Sequence, residues 1–248
     1  MVRKKIGARS QESGVGRITI ESRIFQCNVF LIGLHSASAT ADSLARGGYE
    51  KAKLLGIGLR LVLNWVRFHG CDQRGVHMQF ALLDNIRSAY NVGSIFRTAD
   101  CVGLEGLILT GYSAYPPHIK IEKTSLGAEE TVPWIHLPDA GTALAQLRSG
   151  QLESPIRSAN WNFDALEWQA FPLIAWESGA GGKSMYDTEF PQMAVHVFGN
   201  EVSGVQPAFL AACQQIVEIP LYGSKHSLNV ASSFAVAMYE VKRVRAKS

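Results

Sequence analysis

Three short segments of this chain hold residue types whose spacing could do chemistry. In the first, Asn91, Ser94 and Arg97 recur at steps of three, while Val92, Ile95, Phe96 and Ala99 mark a separate apolar stripe. On a helix that spacing puts an amide, a hydroxyl and a guanidinium on one polar face, where they could meet a phosphate or a sugar. By spacing alone, an arginine on a solvated face is the commoner meaning. In the second segment the apolar run Val195-His196-Val197-Phe198 enters Gly199-Asn200-Glu201, with Gly204 just beyond. A glycine there lets a ligand approach the backbone, and Glu201 can accept hydrogen bonds from ribose hydroxyls or an amine. A polar turn is the plain alternative. In the third, Ile219-Pro220-Leu221 leads through a polar loop to Ser227-Leu228-Asn229-Val230-Ala231 and a helix of small residues. Ser227 stands where a serine could cap that helix.

Other chemistries are poorly served. Gly179-Ala180-Gly181-Gly182-Lys183-Ser184 looks like part of a phosphate-binding loop, but the position of its first glycine holds Glu177. Such a loop also needs a helix directly after it, and residues 185–190 run into Pro191 instead. Cys27, Cys71, Cys101 and Cys213 are scattered, with no CxxC and no HExxH. No metal site is expected, and buried single thiols fit a reducing compartment, so the cytoplasm is the expected location. No stretch approaches the ~20 apolar residues of a membrane helix. Residues 54–68 come nearest, and Arg60, Asn64 and Arg67 interrupt them. The apolar run 29–34 before His35-Ser36-Ala37-Ser38-Ala39 is shorter than the ~7–15 residues of a signal-peptide core. It reads as a buried strand or part of an N-terminal extension, with an Arg/Ser-rich transit peptide as the weaker alternative.

The elements that must position the three segments follow from texture. With 47% hydrophobic and 18% charged residues the chain is globular. At 248 residues it can bury roughly 70% of its extended surface without staples. Apolar runs at 78–83, 107–110, 172–176, 194–198 and 216–221 read as strands, and 91–102, 140–147, 207–214 and 229–245 as helices. This alternation predicts a mostly parallel α/β sheet with the chemistry in loops at the strands' C-terminal ends. Residues 149–170, with Trp161 and Trp168, break the alternation and read as an insertion. Residues 49–69 show a helical period that places Lys53, Arg60 and Arg67 on one face. Residues 1–76 read as a basic N-terminal extension, partly disordered with this one amphipathic helix, and 77–248 as the main domain. The net charge of +3 divides into +7 up to His77 and −4 beyond it. Basic segments on a near-neutral body suit a polyanion such as nucleic acid, although solubility charge has the same look.

Taken together and in this order, the three segments resemble the SPOUT superfamily of RNA methyltransferases, in particular its SpoU/TrmH-type ribose 2′-O-methyltransferases. The residues that carry the resemblance are Asn91-Val92-Gly93-Ser94-Ile95-Phe96-Arg97-Thr98-Ala99, then Phe198-Gly199-Asn200-Glu201 with Gly204, then Ile219-Pro220 and Ser227-Leu228-Asn229-Val230-Ala231. Pro116-Pro117-His118 and residues 123–128 agree with it, and it covers roughly residues 78–245. Residues 1–76 and 149–170 depart from the pattern.

The resemblance implies a SPOUT-type, mostly parallel sheet with helices on both faces, a C-terminal trefoil knot, S-adenosylmethionine as methyl donor, tRNA or rRNA as substrate, and a homodimer. It implies a catalytic set of Arg97, Asn91, Glu201, Ser227 and Asn229. Gly199, Ile219, Leu221 and Leu228 would hold the donor, and Arg87 and Lys123 would hold RNA phosphates. The stripe Val230, Phe234, Met238 and Val241 could serve a dimer or could pack on its own sheet. Two other readings keep the same scaffold: an RNA-binding or assembly protein without turnover, and methylation of a base nitrogen.

Overall fold

The computed structural model describes residues 77–245. The expected basic extension 1–76, the helix expected over 49–69, Cys27 and Cys71 lie outside the described residues. Seven parallel strands form one sheet: β1 (Met78–Asp84), β2 (Gly106–Thr110), β3 (Trp134–Leu137), β4 (Leu173–Trp176), β5 (Lys183–Ser184), β6 (Met193–Phe198) and β7 (Gln215–Glu218), in the spatial order β3-β2-β1-β6-β4-β7-β5. The helices are α1 (Ala89–Val102), α2 (Ile119–Ser125), α3 (Ala128–Thr131), α4 (Ala140–Ser149), α5 (Pro207–Ala212) and α6 (Val230–Arg245).

Two cores sandwich the sheet, because a fully buried parallel strand must be apolar on both faces. Along β1, Ala81 and Leu83 face a core shared with α1 and α6, while Phe80 and Leu82 face one shared with α4 and α5. The stripe Val230, Phe234, Met238 and Val241 lies inside the first of these cores. It packs on its own sheet and offers nothing to a second copy; α6 instead leaves Val236 and Tyr239 exposed.

Local chemistry sets the helix ends. Ser88 Oγ accepts from the Asn91 amide at the start of α1, and Gly103 closes its end with φ 61°. Asp139 and Gly150 bracket α4 in the same way. For α6 the expected cap is corrected: Asn229 Oδ1, not Ser227, accepts from the Ala231 and Ser232 amides at 2.9 and 3.4 Å. The last strand also ends earlier than its apolar run, at Glu218, which leaves Ile219, Pro220 and Leu221 in irregular chain.

The insertion has a packing role. Trp161, Phe163, Trp168 and Phe171 surround Phe80 at centroid distances of 4.7–6.4 Å. Residues 156–158 also pair with the β3 edge, where the His136 amide donates to the Ile156 carbonyl at 2.8 Å and the Ser158 amide to the Trp134 carbonyl at 2.9 Å. An edge strand that would otherwise be open is thereby covered. Lys183 belongs to β5 and is followed by a short 3₁₀ turn, Met185–Asp187, which agrees with rejecting the phosphate-loop reading.

The strand order sets where a ligand can bind. From β1 the chain builds outward through β2 and β3, then returns to build the other side from β6, β4 and β7. The crevice beyond the carboxyl ends of β1 and β6 is therefore a topological switch point, the usual ligand position in such sheets.

Candidate active site

At that switch point a hydrogen-bonded chain joins all three sequence segments. Asn229 Nδ2 donates to Asn91 Oδ1 at 3.2 Å, and Asn91 Nδ2 donates to Glu201 Oε1 at 2.8 Å. Glu201 also accepts from the Arg87 amide at 2.8 Å and the Ser88 amide at 3.1 Å. The carboxylate thus sits on the entry to α1, where a negative charge meets the free amides and the positive end of the helix dipole. Partial burial pushes the Glu201 carboxyl up. The hydrogen bonds from the Arg87 amide, the Asn91 side chain and the Ser88 amide outweigh that and leave it below its ordinary value.

The geometry gives Glu201 and Gly199 roles inside the protein. Three donors from the protein already occupy Glu201, so its first task is to lock the second segment onto the first. Gly199 lies tight against its own loop. A Cβ there would strike the Val205 amide and the Gly204 backbone, so the glycine lets the loop close on itself. The loop is pinned elsewhere too. Asn200 Nδ2 donates to the Asn85 carbonyl and the Tyr112 hydroxyl, and Asn200 Oδ1 accepts from the Val202 and Ser203 amides. Gln206 donates from its amide and its Nε2 to the buried carboxylate of Asp84.

Arg87, Ser88, Asn91 and Glu201 line an open hollow. Arg97 projects exposed from α1 and has no carboxylate partner among the described residues. Lys123 is exposed on α2, which packs against α1 closely enough that Gly93 has no room for a Cβ beside Thr124 and Ile121. Ser227 is exposed, and no hydrogen bond among the described residues draws it into the chain.

A second, shallow hollow is formed where β4, β7 and the start of α6 meet. Trp176, Val217, Ile219, Leu221 and Leu228 form its apolar walls, and Glu177, Ser178 and Ser233 its polar ones. The two hollows are joined through the chain, because Leu228 precedes Asn229 and Glu177 Oε2 accepts from the Val205 amide of the Glu201 loop at 2.7 Å. Three of the four donor-holding residues expected from the sequence thus line one cleft; Gly199 does not. Behind the cleft, Trp176 Nε1 donates to His196 Nδ1 at 3.1 Å, and His196 Nε2 lies 2.6 Å from Gln79 Oε1. With Nδ1 accepting, the buried imidazole carries its proton on Nε2 and donates it to Gln79.

Three contributors escaped the sequence reading. Ser88 caps α1, Asp84 holds Gln206, and Glu177 belongs to the cleft. The rule that function gathers at the carboxyl ends of parallel strands could have found Asp84, the last residue of β1, and Glu177, the residue directly after β4.

The model of the SpoU rRNA Methylase family matches residues 78–159 and 151–239. The chain belongs to this family. Among SpoU relatives it is similar to a 23S rRNA (uridine(2479)-2′-O)-methyltransferase of Streptomyces viridochromogenes, with 29% identity over 165 residues, 66% of this chain and 52% of the relative. It is also similar to the 23S rRNA (guanosine-2′-O-)-methyltransferase RlmB of Neisseria meningitidis serogroup B, with 27% identity over 164 residues, 66% of this chain and 58% of the relative. The match thus spans little more than half the length of these two relatives. Among solved structures, the fold matches the SpoU methyltransferase AviRb from Streptomyces viridochromogenes in complex with the cofactor AdoMet, at a TM-score of 0.57 and 27% identity, covering 70% of this chain and 60% of that one. A TrmH-family protein from Porphyromonas gingivalis gives a TM-score of 0.55 and 28% identity, covering 68% and 61%. Among the described residues no three His, Cys, Asp or Glu side chains gather as metal ligands, and no helix is long and apolar enough to cross a membrane.

Proposed function

We propose that this chain transfers a methyl group from S-adenosylmethionine to a ribose 2′-hydroxyl of tRNA or rRNA. The observation that carries the reading is the side-chain relay Asn229–Asn91–Glu201, which brings the three family segments to one switch point beside an apolar cleft. The SpoU relatives named as 2′-O-methyltransferases support it.

The cleft suits such a donor. Its apolar walls are of the chemical kind on which an adenine ring and a methionine chain pack. Within the described residues, no hydrogen bond engages residues 221–227, so their amides and carbonyls are available to a ligand with many polar edges. Ile219, Leu221 and Leu228 would hold it. When bound, S-adenosylmethionine supplies a methyl group on positively charged sulfur, an electrophile that needs no further activation. The protein's task is then alignment and charge, and alignment alone contributes about 7–11 kcal/mol in favourable cases.

Arg97 would bind the RNA phosphate and stabilise the developing alkoxide at the 2′-oxygen. A guanidinium keeps its proton throughout the physiological range, so it is a poor general base. Asn91 and Asn229 would orient the ribose from the relay, with Ser227 closing on it. Glu201 would fix the helix that carries Arg97, and Arg87 and Lys123 would hold flanking phosphates. The reading extends to residues 1–76 as a basic RNA-holding arm, to a cytoplasmic setting, and to a homodimer that would use the α6 face bearing Val236 and Tyr239.

The test is Arg97→Ala. Turnover in a single-turnover assay should collapse, while calorimetry shows S-adenosylhomocysteine binding unchanged, because Arg97 lies outside the cleft. Equal loss of binding and rate would overturn the assignment.

A further inference from the structure

Glu177 has no role in the proposed reaction, yet it is the one charged side chain among the residues that line the apolar cleft. Its two oxygens are unequally engaged. Oε2 accepts from the Val205 amide at 2.7 Å. Among the described residues no hydrogen bond engages Oε1, and the carboxylate lies against Gly204, where a Cβ has no room. The neighbouring carboxylate on the β5–β7 edge, Glu218, does not line the cleft, and its Oε1 accepts from the Gly182 amide at 3.0 Å. A half-buried carboxylate is thus fixed in place with one oxygen uncommitted, in a cleft whose other walls are apolar or hydroxyl.

An acidic group in such surroundings reads net charge. A charge pair near a protein surface interacts several times more strongly than in bulk water, because the effective dielectric is lower. Resting on the proposed function, the ligand's charge changes during the reaction. The C–O bond forms at the ribose 2′-oxygen, the hydroxyl proton is released, and the electron pair of the broken S–CH₃ bond stays on sulfur. Sulfonium becomes thioether, and the ligand loses one positive charge.

We infer that Glu177 is the specificity residue by which the cleft favours S-adenosylmethionine over S-adenosylhomocysteine, attracting the cationic donor and releasing the neutral product. A structural latch on Val205 would need only the hydrogen bond, which a glutamine can also accept. The charge separates the two roles.

The experiment is calorimetry of both ligands with the full-length wild type and Glu177→Gln. The glutamine keeps the shape and an acceptor for the Val205 amide, and a melting curve confirms folding. The wild type should prefer S-adenosylmethionine, and the substitution should erase about tenfold of that preference, mostly through weaker donor binding. On the wild type alone, raising salt from about 0.05 to about 0.5 M should weaken donor binding more than product binding. A wild type that binds both ligands, with a preference that neither Glu177→Gln nor salt alters, overturns this inference alone. A wild type that binds neither overturns the proposed function as well.

Discussion

Replacing Glu201 by glutamine should loosen the joint between the second segment and α1, and the structure sets the size of the effect. The carboxylate accepts three hydrogen bonds, from the Arg87 and Ser88 amides and from Asn91 Nδ2. Charge-assisted bonds contribute about 1.5–3 kcal/mol each when fully buried. Glu201 is only partly buried, so water replaces much of what is lost, and the net cost should be about 1–2 kcal/mol. For a domain of this size that lowers the melting temperature by about 2–4 °C per kcal/mol. The pH dependence has a definite sign. The folded-state pKa lies below the ordinary value of 4.5, so the carboxylate stabilises the fold fully above that value, and the gain is lost as pH falls through the lower folded value. The melting gap between wild type and Glu201→Gln should therefore be full at neutral pH and close in acid. Turnover should fall by about a hundredfold, because a small shift of α1 misplaces Arg97, while donor affinity should hold. Thermal melts across the carboxylate range, paired with single-turnover rates, check both. A variant that melts like wild type at neutral pH, or a gap that does not close in acid, would refute the reasoning.

Gly93→Ala should cost about 1–3 kcal/mol, read from denaturant unfolding, because a Cβ there meets Thr124 Oγ1 and the Ile121 carbonyl and must push α2 off α1. Burial pushes the Cys213 thiol up to about 12 against a backbone hydrogen bond from Ala175, whereas Cys101 is exposed. Mild alkylation of the native protein near pH 8, followed by peptide mass spectrometry, should label Cys101 well before Cys213.

Much of this arrangement was legible in the residues themselves. The step-of-three face of Asn91, Ser94 and Arg97 required a helix, and α1 is that helix, begun by Ser88 and ended by Gly103. Alternation of apolar runs and helical stretches called for a parallel sheet, and all seven strands are parallel. What escaped was whatever depends on partners distant in sequence. Trp134–Leu137 is a four-residue strand between Pro133 and Pro138, too short for periodicity to speak, and it is a strand because β2 lies beside it. Ser227 and Asn229 are both good caps by type; only the three-dimensional path of residues 221–229 selects Asn229. The packing at Gly199 was not legible, because the Gly204 and Val205 backbone that folds back over it lies five and six residues on. Glu177 carried no motif at all, and its place in the cleft follows from β4 ending at Trp176 beside β7.

Whether this site methylates a ribose hydroxyl is decided by where a transferred methyl group ends up. The full-length protein is incubated with S-adenosylmethionine labelled in its methyl group and with unmodified rRNA or tRNA, and the RNA is then digested to nucleosides and separated. The label should appear in a 2′-O-methylnucleoside and disappear with Arg97→Ala. Label in a base-methylated nucleoside, or no transfer to either RNA by a protein that binds both donor and RNA, would contradict it.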